Sequence, residues 1–99
     1  MITNGLVSTI VLNWNGKNII LPCLKSLLSQ TYPLHEIILV DNGSTDGSLQ
    51  LIEKNYGHSL TMIRNSRNLG FAEGVNIGIR HGQGEFIALL NSDATVAPN

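Results

Sequence analysis

The chain has 99 residues, of which 42% are hydrophobic and 13% are charged. This length supports one hydrophobic core, which excludes a multidomain protein, and the composition excludes disorder as the default state. The net charge of -1 provides no basic surface for nucleic acid, and the single Cys23 excludes an internal disulfide and a cysteine-based zinc site.

The first predicted unit is a strand followed by a helix. Residues 6–12 are rich in Val, Ile, Leu and Thr, and they end in the turn-forming loop 13–16. Within residues 17–30, hydrophobic residues recur at helical spacing, with Asn18 as the predicted N-cap and Pro22 in the first turn. These hydrophobic residues are Ile20, Leu24, Leu27 and Leu28. Residues 31–33 are predicted to end the helix, because a residue that precedes proline avoids helical geometry.

The second unit repeats this order. Residues 36–41 predict a buried strand, 42–47 a turn, and 48–55 a helix. The three polar residues of the turn that suit a helix N-cap are Ser44, Thr45 and Asp46, and for Asp46 a capping role is favoured over a functional one.

The third unit predicts a strand at 60–64, a loop at 65–70 and a helix at 71–80, followed by a fourth strand at 85–90. We expect one apolar face of the third helix to carry Phe71, Val75 and Ile79. Gly78 in that helix is predicted to allow close packing on the sheet.

Four aliphatic strands that alternate with three helices predict the α/β class: a doubly wound, Rossmann-like parallel sheet with helices on both faces. Since no helix is predicted after the fourth strand, we expect a domain that is truncated at its C-terminal end. The open sheet edge of such a domain favours self-association, so a homo-oligomer is expected.

Ligands of open α/β sheets bind beyond the carboxyl ends of the strands. The polar residues that follow the predicted strands are Asn13, Asp41, Asn65 and the group Asn91-Ser92-Asp93. A carboxylate at Asp41 can accept N–H or O–H groups from a base or ribose, whereas for Asn13 and Asn65 a turn-forming role is indicated equally well.

The segment 91–93 indicates a cation site or a polar turn. Side-chain oxygens of Asn91 and Asp93 can share one hard cation, which in turn bridges phosphate oxygens. Only Asp93 carries a charge there, so phosphates or later residues would have to complete the coordination. Before the third helix, Arg67 and Asn68 can reach phosphate or sugar, although a solvated arginine is the commoner outcome.

Four segments together resemble the amino-terminal, nucleotide-sugar-binding part of a family 2 glycosyltransferase with the GT-A fold. These segments are residues 9–16, 23–33, 36–48 and 67–72. The combination of Val-Asp-Asn-Gly-Ser-Thr-Asp with Ser-Gln-Thr-Tyr-Pro is specific. Asn91 stands at the first position of the family's Asp-x-Asp motif, a variant similar to the rhamnosyltransferase-like branch.

The resemblance implies transfer of a sugar from a nucleotide diphosphate donor, with inversion, to a glycan or lipid-linked acceptor. It implies that Mg²⁺ or Mn²⁺ is bound through Asp93 and that the catalytic base lies beyond Asn99, so this chain alone would bind donor without activity. The implied nucleotide-sugar-binding residues are Asn13, Trp14, Asn15, Asp41, Ser44, Asn68 and Asn91. A cytoplasmic location is expected, with peripheral attachment to the inner membrane face as an option for the whole enzyme.

Two alternatives remain open at this point. One is a noncatalytic nucleotide-binding or receiver-like α/β module, although a receiver needs an acidic cluster at the end of the first strand, where this chain has Asn13. The other is a stable structural fragment that has lost binding.

Overall fold

The computed structural model describes residues 2–30 and 35–91, which form four strands and three helices. In chain order these are β1 (Thr3–Asn13), α1 (Ile20–Leu28), β2 (His35–Asn42), α2 (Ser48–Tyr56), β3 (Thr61–Asn65), α3 (Phe71–His81) and β4 (Gly84–Leu90). All seven predicted elements are present. Among the described residues, no helix combines the length and the apolar character that crossing a membrane requires.

The described strands form one parallel sheet in the order β3-β2-β1-β4. Helices α1 and α2 cover one face, where Val11, Ile37 and Leu39 of the sheet pack with Leu24 and Ile52. Burial of each such aliphatic side chain contributes about 1.5–3 kcal/mol to stability. The alternate residues of β1 and β2 face α3, which confirms the predicted doubly wound fold.

The contact between α3 and the sheet depends on glycine. A Cβ atom at Gly78 would lie 2.6 Å from Ile10 Cγ2, and one at Gly74 would lie 2.5 Å from Leu12 Cδ1. This confirms close packing at Gly78. The predicted apolar face is wrong in part: Val75 is buried, but Phe71 and Ile79 are 62% and 39% exposed, because the glycine face of the helix turns toward the sheet.

The start of α1 also differs from the prediction. Ile19, not Asn18, is the N-cap residue, and its side chain forms no capping hydrogen bond. Instead, the amides of Ile19 and Ile20 both donate to the carbonyl of Gly16, at 3.0 and 2.8 Å. Pro22 lies in the first turn as predicted. The segment predicted to end this helix, residues 31–33, lies outside the described residues.

The strand order reverses at β1. The crossover from β1 runs through α1 to β2 on one side, whereas β4 pairs with the other edge of β1 and is entered from α3 on the opposite face. Val11 is in register with Leu90, so the carboxyl ends of β1 and β4 are neighbours. This switch point is where a ligand crevice is expected in a sheet of this class.

Candidate functional site

Asn13 and Asp41 form the centre of the candidate site. They are register partners on β1 and β2, and both side chains are buried, with 0% and 2% exposure. Both face the α1 and α2 side of the sheet, where the loops that follow their strands close over them.

The carboxylate of Asp41 is held by three donors. Its Oδ1 accepts from Asn13 Nδ2 at 2.8 Å and from Ser44 Oγ at 2.7 Å, and its Oδ2 accepts from the Ser44 amide at 3.0 Å. An ionised carboxylate has about four acceptor sites. One site on Oδ2 therefore remains for a further donor.

Of the two polar atoms in the Asn13 side chain, only the nitrogen has hydrogen-bond partners among the described residues. Its Nδ2 lies 2.8 Å from Asp41 Oδ1, 3.0 Å from Ser48 Oγ and 3.2 Å from Ser44 Oγ. Its Oδ1 is buried and, within the described part of the chain, has no hydrogen-bond partner. A Cβ atom at Gly16 would lie 2.6 Å from this oxygen, so the position accepts only glycine without a shift.

Three further bonds join the loop after β1 to the loop after β2. The Asn15 amide donates to Ser44 Oγ at 2.9 Å, the Thr45 amide donates to Asn15 Oδ1 at 2.7 Å, and the Lys17 amide donates to Asp46 Oδ2 at 3.0 Å. Asn15 has the left-handed φ of 51°. Trp14 projects from these joined loops and is 55% exposed, which makes it an aromatic surface available for contact.

Asp46 organises the start of α2. Its Oδ1 accepts from the Ser48 amide at 2.9 Å. The Ser48 hydroxyl, with the Ser48 and Lys17 amides, holds the pKa of the Asp46 carboxyl below its ordinary value. The N-cap residue itself is Gly47, with a φ of 86°, so the prediction that residue 44, 45 or 46 would be the N-cap is wrong. The favoured helix-start role of Asp46 is nevertheless what its contacts show.

Asn42 is a site residue that sequence reasoning missed. It is 1% exposed and faces α3, where its Nδ2 donates to Asn68 Oδ1 at 3.2 Å and to the Gly70 carbonyl at 3.1 Å. Its Oδ1 accepts from Asn65 Nδ2 at 3.0 Å and from the Leu69 amide at 3.3 Å. The available signal was strand alternation, which turns Asn42 to the face opposite Asp41.

Asn68 is exposed, and its Oδ1 also accepts from the Gly70 amide at 2.8 Å, so it shapes the turn into α3. The loop that carries it packs on Gly43, whose φ is 76° and whose Cβ would lie 2.7 Å from the Arg67 Cα. The loops after β2 and β3 are therefore in direct contact.

Asn91 follows β4 and is exposed, and its carbonyl accepts from Cys23 Sγ at 3.7 Å. Ser92 and Asp93, including the predicted metal ligand, lie outside the described residues. Within residues 2–30 and 35–91, no group of three or more His, Cys, Asp or Glu side chains is placed to hold a metal ion.

A cleft of about 300 Å³ lies elsewhere, beside β4 on the α1 face. Its lining includes Thr9, Leu27 and His35, and Thr9 Oγ1 lies 2.9 Å from His35 Nε2. Burial lowers the pKa of His35. Thr9 and His35 stand nearer the amino ends of their strands than Asn13 and Asp41 do, so this cleft is separate from the candidate site.

The sequence matches the model of glycosyl transferase family 2 over residues 8–99. An uncharacterized glycosyltransferase of Haemophilus influenzae is 34% identical over 96 residues, which cover 95% of this chain and 30% of that protein. The UDP-Glc:alpha-D-GlcNAc-diphosphoundecaprenol beta-1,3-glucosyltransferase WfaP of Escherichia coli is 38% identical over 88 residues, covering 89% of this chain and 35% of WfaP. The chain thus spans about a third of the length of these relatives.

Solved structures share the fold. S. aureus TarS 1-349 in complex with UDP has a TM-score of 0.87 and 30% identity, over 95% of this chain and 29% of that one. The mannosyltransferase PcManGT from Pyrobaculum calidifontis, in complex with GDP-Man and Mn²⁺, has a TM-score of 0.82 and 29% identity, over 90% of this chain and 28% of that one. These similarities favour a transferase over the receiver-like alternative.

Proposed function

Because this chain belongs to glycosyl transferase family 2, we propose that it is the nucleotide-sugar-binding part of an enzyme that transfers a sugar, with inversion, from a nucleotide diphosphate donor to an acceptor hydroxyl. The observation that carries this proposal is the set of joined loops at the switch point of the sheet. They hold the buried Asp41 carboxylate with three hydrogen bonds, which leaves one acceptor position of Oδ2 unused among the described residues, and they carry the exposed Trp14.

In this proposal the nucleoside lies against the loop 13–15. The free acceptor site of Asp41 Oδ2 takes an N–H or O–H group of the nucleoside, and the exposed face of Trp14 stacks on the base. Stacking of a base on an aromatic side chain is worth about 1–3 kcal/mol. Ser44 and Asn15 keep the two loops in place through the bonds between them.

The diphosphate is proposed to lie toward Asn91, next to the end of β4. Asn68, in the loop after β3 at the other edge of the sheet, is proposed to line the donor pocket from that side. The oxygen ligands available from Asn91 and Asp93 are of the type that Mg²⁺ and Mn²⁺ prefer, so these two residues would hold the ion together with diphosphate oxygens. When bound, the ion would neutralise charge on the departing diphosphate.

The residue that deprotonates the acceptor is proposed to lie beyond Asn99, in the part of the relatives' length that this chain does not span. The exposed carboxylates of Glu73 and Glu85 are poorly placed for that role. Glu73 is paired with Arg80 at 3.4 Å, and Glu85 stands at the amino end of β4, where its Oε1 accepts from the Gly5 amide at 2.8 Å.

The donor is proposed to be a hexosyl nucleotide and the acceptor a glycan or a lipid-linked glycan. The names of the relatives support this, since WfaP is a glucosyltransferase for a diphosphoundecaprenol-linked sugar and PcManGT is a mannosyltransferase. Asn91 at the first position of the Asp-x-Asp motif supports a more specific proposal, in which the donor is a rhamnosyl nucleotide. A lipid-linked acceptor would place the whole enzyme at the cytoplasmic face of a membrane.

Calorimetric titration of the 99-residue chain with UDP, dTDP and GDP, with and without Mn²⁺, tests the proposal. We expect one of these nucleotides to bind, Asp41→Ala to abolish its binding, and Asp93→Ala to abolish the effect of Mn²⁺ only. A folded chain that binds none of the three would refute a donor site in this chain and leave the structural-fragment alternative.

A further inference from the structure

We propose that Asn42 fixes the amide orientation of Asn68, so that the NH₂ group of Asn68, and not its oxygen, meets the donor nucleotide. Asn42 is the positioning residue of this pair, and Asn68 is the residue that binds. The inference rests on the proposed function, which places Asn68 at the donor pocket but does not say which of its atoms contacts the ligand.

The orientation of the Asn42 amide is fixed by two backbone groups of the loop after β3. Its Nδ2 donates to the Gly70 carbonyl at 3.1 Å, and its Oδ1 accepts from the Leu69 amide at 3.3 Å. A carbonyl only accepts and a backbone N–H only donates, so turning the Asn42 amide over would set like groups against each other at both contacts. Because Asn42 is 1% exposed, water does not replace either hydrogen bond.

The orientation of the Asn68 amide follows from that of Asn42. Its Oδ1 accepts from the Gly70 amide at 2.8 Å and from Asn42 Nδ2 at 3.2 Å. Both of these partners are donors, so they hold the oxygen of Asn68 and not its nitrogen. Neither hydrogen bond uses the NH₂ group of Asn68, which is an exposed residue. The group that Asn68 presents outward is therefore a donor with two hydrogens.

The loop after β3 brings this donor to the candidate site. A Cβ atom at Gly43 would lie 2.7 Å from the Arg67 Cα, so the backbone just before Asn68 packs directly on the turn after β2. Asp41 precedes this turn by two positions and faces the other side of the sheet. The end of β2 is thus bordered by an acceptor, the Asp41 carboxylate, on one side and by a donor, the Asn68 NH₂ group, on the other.

An outward NH₂ group fits acceptor oxygens, which a nucleotide carries on its base, its ribose and its phosphates. This makes two variants of Asn68 informative. Asn68→Asp keeps the inward oxygen with both of its hydrogen bonds and replaces only the outward NH₂ group by an oxygen, which repels an acceptor. Asn68→Ala removes the bonds within the loop as well as the donor, but adds no repulsion. A purely structural role for Asn68 predicts that alanine is the more damaging change, whereas a donor role predicts that aspartate is.

The experiment is a calorimetric titration of the 99-residue chain with UDP, dTDP and GDP, continued with the nucleotide that binds tightest. We expect Asn68→Ala to weaken its binding by about two- to tenfold and Asn68→Asp to weaken it by roughly tenfold or more. The control is Asn76→Asp, which adds the same charge at an exposed position of α3 and should leave the affinity unchanged. Thermal unfolding should show that Asn68→Asp is at least as stable as Asn68→Ala.

The matching nucleoside monophosphate locates the acceptor oxygen. If the oxygen belongs to the second phosphate, the loss of affinity caused by Asn68→Asp is larger for the diphosphate than for the monophosphate. If it belongs to the nucleoside or the first phosphate, the loss is equal for both ligands. Either result supports a donor at Asn68.

The role of Asn42 is tested by Asn42→Asp, which puts an oxygen where Nδ2 now faces Asn68 Oδ1. The Asn68 amide should then turn over, donate to that oxygen and present its own oxygen outward, so binding should weaken. Adding Asn68→Ala to this variant removes the outward oxygen and should restore part of the affinity, although the same change weakens binding in the wild-type background. A merely structural role for Asn42 does not produce this reversal of sign.

A measurement on the wild-type chain covers the case in which Asn42→Asp does not fold. Side-chain NH₂ groups give separate signals in ¹⁵N NMR spectra, and their hydrogen exchange with water can be followed. The NH₂ group of Asn42 should exchange slowly in the free chain, and that of Asn68 should become slow only when the nucleotide is added.

If no nucleotide binds to the wild-type chain, the proposed function fails and this inference fails with it. If a nucleotide binds, the inference alone is overturned when Asn68→Asp binds as tightly as wild type or more tightly than Asn68→Ala. The role of Asn42 is overturned when Asn68→Ala weakens binding in both backgrounds, or when the nucleotide leaves the exchange of the Asn68 NH₂ group unchanged.

Discussion

Exchanging the amide and the acid between residues 13 and 41 tests whether their hydrogen bond stabilises the ends of β1 and β2. In Asp41→Asn the shape is kept, but one oxygen becomes an NH₂ group. Donors surround both oxygens, with Asn13 Nδ2 and Ser44 Oγ at Oδ1 and the Ser44 amide at Oδ2. In either orientation, the new NH₂ group meets a donor. Loss of one charge-assisted bond costs about 1.5–3 kcal/mol of unfolding free energy.

The reciprocal change, Asn13→Asp, places two carboxylates at the 2.8 Å contact that now joins residues 13 and 41. Like charges at this separation raise the pKa of one member of the pair above its unfolded value. A raised folded-state pKa gives stability at low pH that is lost as pH rises through it, so the deficit of this variant should be small near pH 4 and larger at pH 7.

The double variant, Asn13→Asp with Asp41→Asn, restores one donor facing one acceptor. We expect it to be more stable than the sum of the single changes predicts, by a coupling free energy of about 1–3 kcal/mol. The measurement is urea unfolding of the four proteins at pH 7, monitored by circular dichroism and by the fluorescence of Trp14, the single tryptophan. Additive losses would refute the claim that the bond between residues 13 and 41 stabilises the fold.

Three further predictions concern the rest of the fold. Gly78→Ala should lower the free energy of unfolding by about 1–3 kcal/mol, because its Cβ would lie 2.6 Å from Ile10 Cγ2. The control is Asn76→Ala, at an exposed position of α3, which should not lower it. Urea unfolding compares the two variants. Because the pKa of Asp46 is lowered in the folded state, its carboxylate contributes to stability at neutral pH, and this contribution is lost as pH falls through the folded-state pKa. Asp46→Asn should therefore be less stable than wild type at pH 7 and equally stable in acid. Thermal unfolding at the two pH values measures this. Among the described residues β4 is at the edge of the sheet, and it carries exposed apolar residues, including Leu89 at 53%. Light scattering should therefore detect self-association that Leu89→Lys reduces, and a monodisperse wild-type monomer would contradict this.

The sequence was sufficient for the elements because aliphatic residues cluster in β1, β2 and β4, and because apolar residues recur at helical spacing in the three helices. It was not sufficient to predict which face of α3 packs on the sheet. The spacing predicted Phe71 and Ile79 as core positions, but Gly74 and Gly78 bring a different face against the sheet. How closely the backbone of α3 approaches the sheet depends on where the helix has glycine, and hydrophobic periodicity does not indicate this.

For the site, the common location of Asn13 and Asp41 followed from the rule that parallel strands end at one edge. Their burial did not follow, because it depends on the loops after β1 and β2 folding over them, and those loops are held by polar bonds between residues about 30 positions apart in the chain. The hydrogen bonds of Asn68 and Asn42 could not be predicted for the same reason, because they join the end of β2 to the loop after β3. Strand alternation indicated only the face on which Asn42 lies.

The end of β2 explains how one strand can organise both sides of the candidate site. Successive strand residues point to opposite faces, so Asp41 joins the loop after β1 on the α1 side, while Asn42 joins the loop after β3 on the α3 side. Gly43, with its positive φ, then lets the chain turn against the backbone of Arg67. A one-residue shift of β2 would exchange the carboxylate and the amide between the two faces, and neither loop would find its partner. The position of the candidate site is therefore tied to the register of the central strands, and β1 and β2 keep that register from Val7 and His35 to Asn13 and Asp41.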